Sequence, residues 1–161
     1  MPIYMKVDGI TGMGTGPHKG WIVLESCQLG VHRMSTSTTG AGANREASAP
    51  SVSEIVVTKK TDVASTALFR ESLSGTGKKV QIDFVKDGDK AEVPYMTIIL
   101  ENTMVSGFNV GHGGGVEKRP VESLSLNFTG ISYATTPTAP SKDPAHVKDK
   151  AMWDLATGRG A

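Results

Sequence analysis

Four histidines, one cysteine and many serines are the residues of this chain whose types could do chemistry. A metal centre needs His, Cys or carboxylate ligands at short, regular spacing. His18, His32, His112 and His146 each sit in a separate segment, and no such spacing links them. A hydrolase of the serine type would carry a G-x-S-x-G elbow, which the chain lacks. Its carboxylates are scattered over turns and strand faces, so no pair is assignable to acid–base work. Gly12-Met13-Gly14-Thr15-Gly16-Pro17 follows a strand-like stretch, as a phosphate loop would. That chemistry needs a helix N-terminus next, to aim N–H groups at the anion. Here Pro17, His18, Lys19 and Gly20 lead into another strand. The run from Gly111 to Gly115 is also followed by a strand and reads as a hairpin loop. The expectation is a chain that is not an enzyme, with no catalytic set, no metal and no cofactor.

The elements around these residues read as strands, with one exception. In 3–8, Ile3, Met5 and Val7 alternate with Tyr4, Lys6 and Asp8. In 21–34, Cys27, Leu29 and Val31 point one way, while Ser26, Gln28, Gly30 and His32 point the other. His32 reads as a solvated side chain. In 78–86, Val80, Ile82 and Phe84 alternate with Gln81 and Asp83, and Asp87-Gly88-Asp89 then turns the chain into a hairpin. Met96, Ile98, Leu100 and Met104 are expected on one face of the next long run. Leu124, Leu126 and Phe128 face a core before the phase flips at Gly130, which suggests a β-bulge.

The exception is a short helix at about 63–74. Asp62 and Ser65 are good N-caps, and Gly75 is placed to end the helix as a left-handed cap. A helix this short needs packing to hold it. Ala64, Ala67 and Leu68 share one side, and Phe69 and Leu73 another. Two readings stay open: a core helix tucked under a loop, or a helix with one patch docked on its own sheet and the other against a second subunit, the spacing not saying which is which. Segment 35–53 has a single large apolar residue, Val52, and cannot bury itself. Loops of that length are usually functional or disordered. The fold expected from the residues is mainly β: a single-domain barrel or sandwich over 1–136 with one short helix and an extended loop at 35–53. A tail follows over 137–161, and 152–155 could close back as a short edge strand.

A chain of 161 residues with 38% hydrophobic and 20% charged residues suits one folded domain. Its net charge of +1 argues against nucleic acid as a main partner. The lone Cys27 cannot form an intramolecular disulfide, which fits folding in a reducing compartment. No stretch approaches the ~18 apolar residues of a membrane span. The first residues, MPIYMKVDGITG, have no basic segment followed by an apolar run, so no classical signal peptide is expected.

Several stretches together resemble the haemolysin-coregulated (Hcp) family, the inner-tube proteins of the bacterial type VI secretion system. They are YMKVDGITG from Tyr4, Leu29-Gly30-Val31 before a Ser/Gly-rich loop, and VTKKTD from Val57 with Ser65-Thr66 opening the helix. YMTIILEN from Tyr95, then Val105-Ser106 and a Gly-rich hairpin, and ESLSLNF from Glu122 complete the pattern. The resemblance implies a single-domain β-barrel with one short helix on its side, closing as a homo-hexameric ring with a wide lumen and stacked on further rings into a tube. It implies a trimeric spike (VgrG), a contractile sheath and small effector proteins as partners. It also implies synthesis in the bacterial cytoplasm and release to the extracellular space or a target cell without a cleaved signal. On this sequence the implied ring-stacking residues are Thr39, Gly40, Ala41, Gly42, Asn44 and Arg45. Ser26, Gln28 and His32 become candidates for the lumen, and the patches Ala64/Ala67/Leu68 and Phe69/Leu73 for core or subunit interface. Without the resemblance, a monomeric β-barrel binding module is the alternative, weakened by only 6% aromatic residues.

Overall fold

A computed structural model describes residues 1–34, 48–86, 94–116, 119–135 and 149–160. The chain runs through β1 (Ile3–Val7), a 3₁₀ turn (Gly16–His18), β2 (Ile22–Leu24), β3 (Ser26–Gln28), β4 (Val31–His32) and β5 (Ser51–Val52). It continues through β6 (Ile55–Lys60), α1 (Ser65–Ser74), β7 (Lys78–Val85), β8 (Pro94–Gly111), β9 (Val121–Asn127), β10 (Gly130–Thr135), β11 (Asp149–Asp154) and β12 (Arg159–Gly160).

Every pairing among these strands is antiparallel. β2 pairs with β1, β1 with β7, and β7 with the first half of β8. The second half of β8 pairs with β9, β9 with β6, and β6 with β3. β3 continues β2 across a bend at Glu25, whose N–H donates to Thr58 O at 2.7 Å. The pairings thus run in a circuit around one core that includes Met5, Ile22, Ile55, Val57, Leu68, Ile82, Leu100, Leu124 and Leu126. The fold is the expected mainly β barrel with one short helix.

Two bent strands carry the circuit from one sheet to the other, and both shift the side-chain phase. Ile22 and Leu24 are buried before Glu25, and Cys27 and Leu29 pack on the core after it. In β8, Ile98 and Leu100 are buried, then Asn102 takes φ 48°, and the buried residue becomes Thr103. Asparagine is among the residues that tolerate this left-handed backbone. The ladder slips there, from Val80 opposite Leu100 to Lys78 opposite Thr103. Met104 is therefore exposed, against the expectation that it shares a face with Ile98 and Leu100. Val31 is also exposed: the chain has left the barrel by then, and β4 pairs only with β5. Gly130 is not a bulge within one strand. β9 ends at Asn127, and β10 begins at Gly130 on the first half of β8. β11 lines up beside β10, and β12 beside the last two residues of β11.

α1 begins at Ser65, two residues inside the expected start, and packs on β8. Gly75 ends it in extended backbone, φ −69° and ψ 155°, not as a left-handed cap. A side chain there would collide with Glu71, so close approach accounts for the glycine.

Candidate functional site: surfaces of the barrel

The helix is held at its first turn by a buried ammonium. Lys59 is the fifth residue of β6, where alternation points its side chain inward beside Ile55 and Val57. Its Nζ donates to Glu122 Oε2 at 2.8 Å, Ser65 Oγ at 3.1 Å and Lys60 O at 2.9 Å, and lies 2.8 Å from Asp62 Oδ1. Asp62 Oδ1 also accepts from Ala64 N–H at 2.9 Å, and Ser65 Oγ accepts from Asp62 N–H at 2.9 Å. Asp62 and Ser65 thus brace the entry to the helix, while Ala64 occupies the N-cap position without a side-chain bond. A buried charge is tolerated only when paired and hydrogen-bonded. Here one cation ties β6, β9 and α1 together. Alternation along β6 puts Lys59 on the side of Ile55 and Val57; nothing local in the sequence points to Glu122, which is 63 residues away.

That clamp decides which helical patch faces where. Ala64 and Leu68 are buried in the core, and Ala67 is half-buried. Phe69 is 49% exposed and Leu73 71% exposed. The ring of Phe69 meets Phe108 of β8 edge-on, with centroids 5.5 Å apart. The barrel-facing patch is Ala64/Leu68, and Phe69/Leu73 remains an open apolar face.

Ser26 and Gln28 lie on the outer face of the β3–β6–β9–β8 sheet. Directly paired residues share a face. Ser26 therefore lines up with Thr58, Ser123 and Asn109, and Gln28 with Val56, Ser125 and Gly107. The Ser26 and Thr58 hydroxyls are hydrogen-bonded at 2.5 Å. The result is a wall of small, mostly polar side chains across four strands. Only the β3 members can be read locally, because register between distant strands is not legible in the sequence. His32 is exposed but belongs to the β4–β5 ribbon, away from that wall. Thr39, Gly40, Ala41, Gly42, Asn44 and Arg45 fall outside the described residues. The ribbon from which their segment leaves is pinned by Arg33 Nε donating to Ser48 O at 2.9 Å and Ser48 N–H donating to Met34 O at 3.0 Å.

The glycine run of 12–16 proves to be a packing device. A Cβ at Gly12 or Gly14 would overlap the backbone of Trp21, Ile22 or His18, so only glycine permits this turn to lie flat. The turn delivers His18, which sequence reasoning left unassigned, onto the outer face of β1 and β7. His18 Nε2 lies 3.1 Å from Asp83 Oδ2, and both residues are buried. Gln81 Nε2 and Thr97 Oγ1 donate to Asp83 Oδ1, each at 3.0 Å. The His18 ring stacks on Tyr4 and meets Trp21 edge-on. No group of three or more His, Cys, Asp or Glu able to hold a metal occurs among the described residues. No described helix is long and apolar enough to cross a membrane.

These features define a single β-barrel protein distinguished by its surfaces. The family model for the type VI secretion system effector Hcp matches residues 4–134, and the chain belongs to that family. Solved structures share the fold. A type six secretion system protein aligns with TM-score 0.83 at 20% identity, covering 99% of both chains. Hcp1 from Salmonella typhimurium gives 0.78 at 20% identity, covering 99% of this chain and 98% of that one. A type VI secretion system effector from Yersinia pestis gives 0.72 at 22% identity, covering 94% and 98%. No curated protein sequence matches the chain.

Proposed function

We propose that this chain is the structural subunit of a type VI secretion inner tube, closing as a hexamer into rings that stack and carry small effector proteins in the lumen. The observation that carries this reading is the family match over residues 4–134. Two surfaces support it. Phe69 and Leu73 form an open apolar face, which suits a contact between copies within a ring. The small polar wall around Ser26 and Gln28 suits a lumen lining that accommodates varied cargo without gripping it. Segment 35–53, with Thr39 to Arg45, is the proposed reach to the next ring.

In this reading the spike (VgrG) caps the tube and a contractile sheath drives it. The protein is made in the cytoplasm and leaves the cell with the tube, without a cleaved signal. Its work is assembly and carriage, with no catalytic step. Negative-stain microscopy of the purified protein, paired with light scattering, tests it: annular particles of one mass, six times the subunit, are expected. A monomer at high concentration with no rings would overturn it in favour of a monomeric binding module.

A further inference from the structure

A groove of about 500 Å³ lies on the outer face of the sheet, between β8 and the C-terminal hairpin. One position in it has no side chain. On that face the cross-strand rows are Glu101–Gly130–Asp154–Arg159 and Ile99–Ser132–Met152. Gly130, in the middle of the first row, leaves a gap flanked by Ile99, Ser132 and Met152. Gly130 is not glycine for backbone reasons: its φ is not left-handed, and an added Cβ would meet Glu101 Cβ at an ordinary 3.4 Å.

The charges around the gap are unevenly satisfied. Glu101 pairs with Lys79 at 3.5 Å. Asp154 Oδ1 accepts from the N–H groups of Ala156 and Thr157, at 2.8 and 3.1 Å, in its own turn. Lys150 and Arg159 line the same groove and have no ion-pair partner among the described residues. On β11, Lys150 lies four residues from Asp154, the register partner of Arg159. At ~3.3 Å per residue the two cations bracket ~13 Å of strand, with Met152 between them.

We infer that this groove is a docking site for an extended acidic peptide segment of a partner protein, with acidic residues at positions i and i+4 and an apolar residue at i+2. The carboxylates meet Lys150 and Arg159, and the apolar side chain lies over the Ile99–Ser132–Met152 row, against the edge of the gap at Gly130. An extended segment has this repeat because residues two apart share a face. The inference does not depend on the ring.

The probe is the blocked pentapeptide Glu-Thr-Leu-Thr-Glu, titrated calorimetrically into the full chain. It should bind, while Lys-Thr-Leu-Thr-Lys and Glu-Thr-Ser-Thr-Glu should bind at least about tenfold more weakly. The double variant Lys150→Glu/Arg159→Glu should weaken the acidic peptide by about tenfold or more, as should Gly130→Leu, which fills the gap. If Gly130→Leu melts abnormally, the surface double variant carries the test alone. No heat at about 1 mM peptide, or equal binding by the variants, would overturn the site. So would loss of annular particles in the double variant, which would reassign the groove to a contact between copies. A wild-type protein that forms no rings yet binds the acidic peptide would sink the tube reading and leave this one standing.

Discussion

The Nζ of Lys59 and the Oε2 of Glu122 lie 2.8 Å apart, and both side chains are sealed from solvent. Removing one partner of such a pair leaves an uncompensated charge in the core and costs about 3–5 kcal/mol. Lys59→Met should therefore lower the denaturation midpoint sharply and loosen α1, seen as early amide exchange in 65–74. Lys59→Met combined with Glu122→Gln should recover part of the loss, because only Asp62 is then left facing the site. A Lys59→Met protein as stable as the parent would show that the clamp contributes nothing.

Phe69 is half-exposed and anchored on one side by Phe108. Phe69→Asp should leave the barrel folded, since the core patch is Ala64 and Leu68, and should convert rings to monomers in light scattering. An insoluble chain would make Phe69 a core residue, and an unchanged ring would remove it from any interface.

Deleting residues 40–44 should leave the ring intact and weaken the stacking of ring on ring. Counting stacked particles by microscopy at a fixed concentration is the measurement. Loss of the ring itself would show that the segment serves the ring and not the stack.

Burial pushes the Cys27 thiol up from an ordinary 9.0 to about 11. The folded barrel thus prefers the neutral thiol. The stability this contributes is fully present below pH 9.0 and is lost as pH rises through about 11. Cys27→Ala should flatten the alkaline limb of the stability profile across that window. At about pH 8 a thiol reagent should label native Cys27 far more slowly than the unfolded chain, because the thiolate is the reactive form.

Thr103 presents a buried hydroxyl with no hydrogen-bond partner among the described residues. Such a group costs about 1–3 kcal/mol. Thr103→Val, close to the same shape, should raise the melting temperature or leave it unchanged. A clear loss of stability would reveal a partner for that oxygen.

Much of the barrel was legible because alternation is a local signal. Leu124, Leu126 and Phe128 were expected inside and are buried, and Val80 and Ile82 likewise. The helix could be read from its formers and stops. The errors cluster at corners. A period of two extended through Asn102 and past Gly30 puts Met104 and Val31 on core faces, and the structure exposes both. Phase is carried only as long as the strand stays regular, and a single slipped residue reverses every side chain after it.

The sequence by itself determined which residues could be strand, which could be helix, and that no spacing of reactive groups supported an enzyme. Its resemblance to the Hcp family, carried by structural stretches, agrees with the family match over 4–134. Only the tertiary structure decided that Ala64 and Leu68, not Phe69 and Leu73, face the barrel. It alone brought Lys59 to Glu122, His18 to Asp83, and Ser26 into one row with Thr58, Ser123 and Asn109. Each of these depends on register between strands far apart in the chain. Register follows from the packing of the whole core, so no local window of sequence contains it.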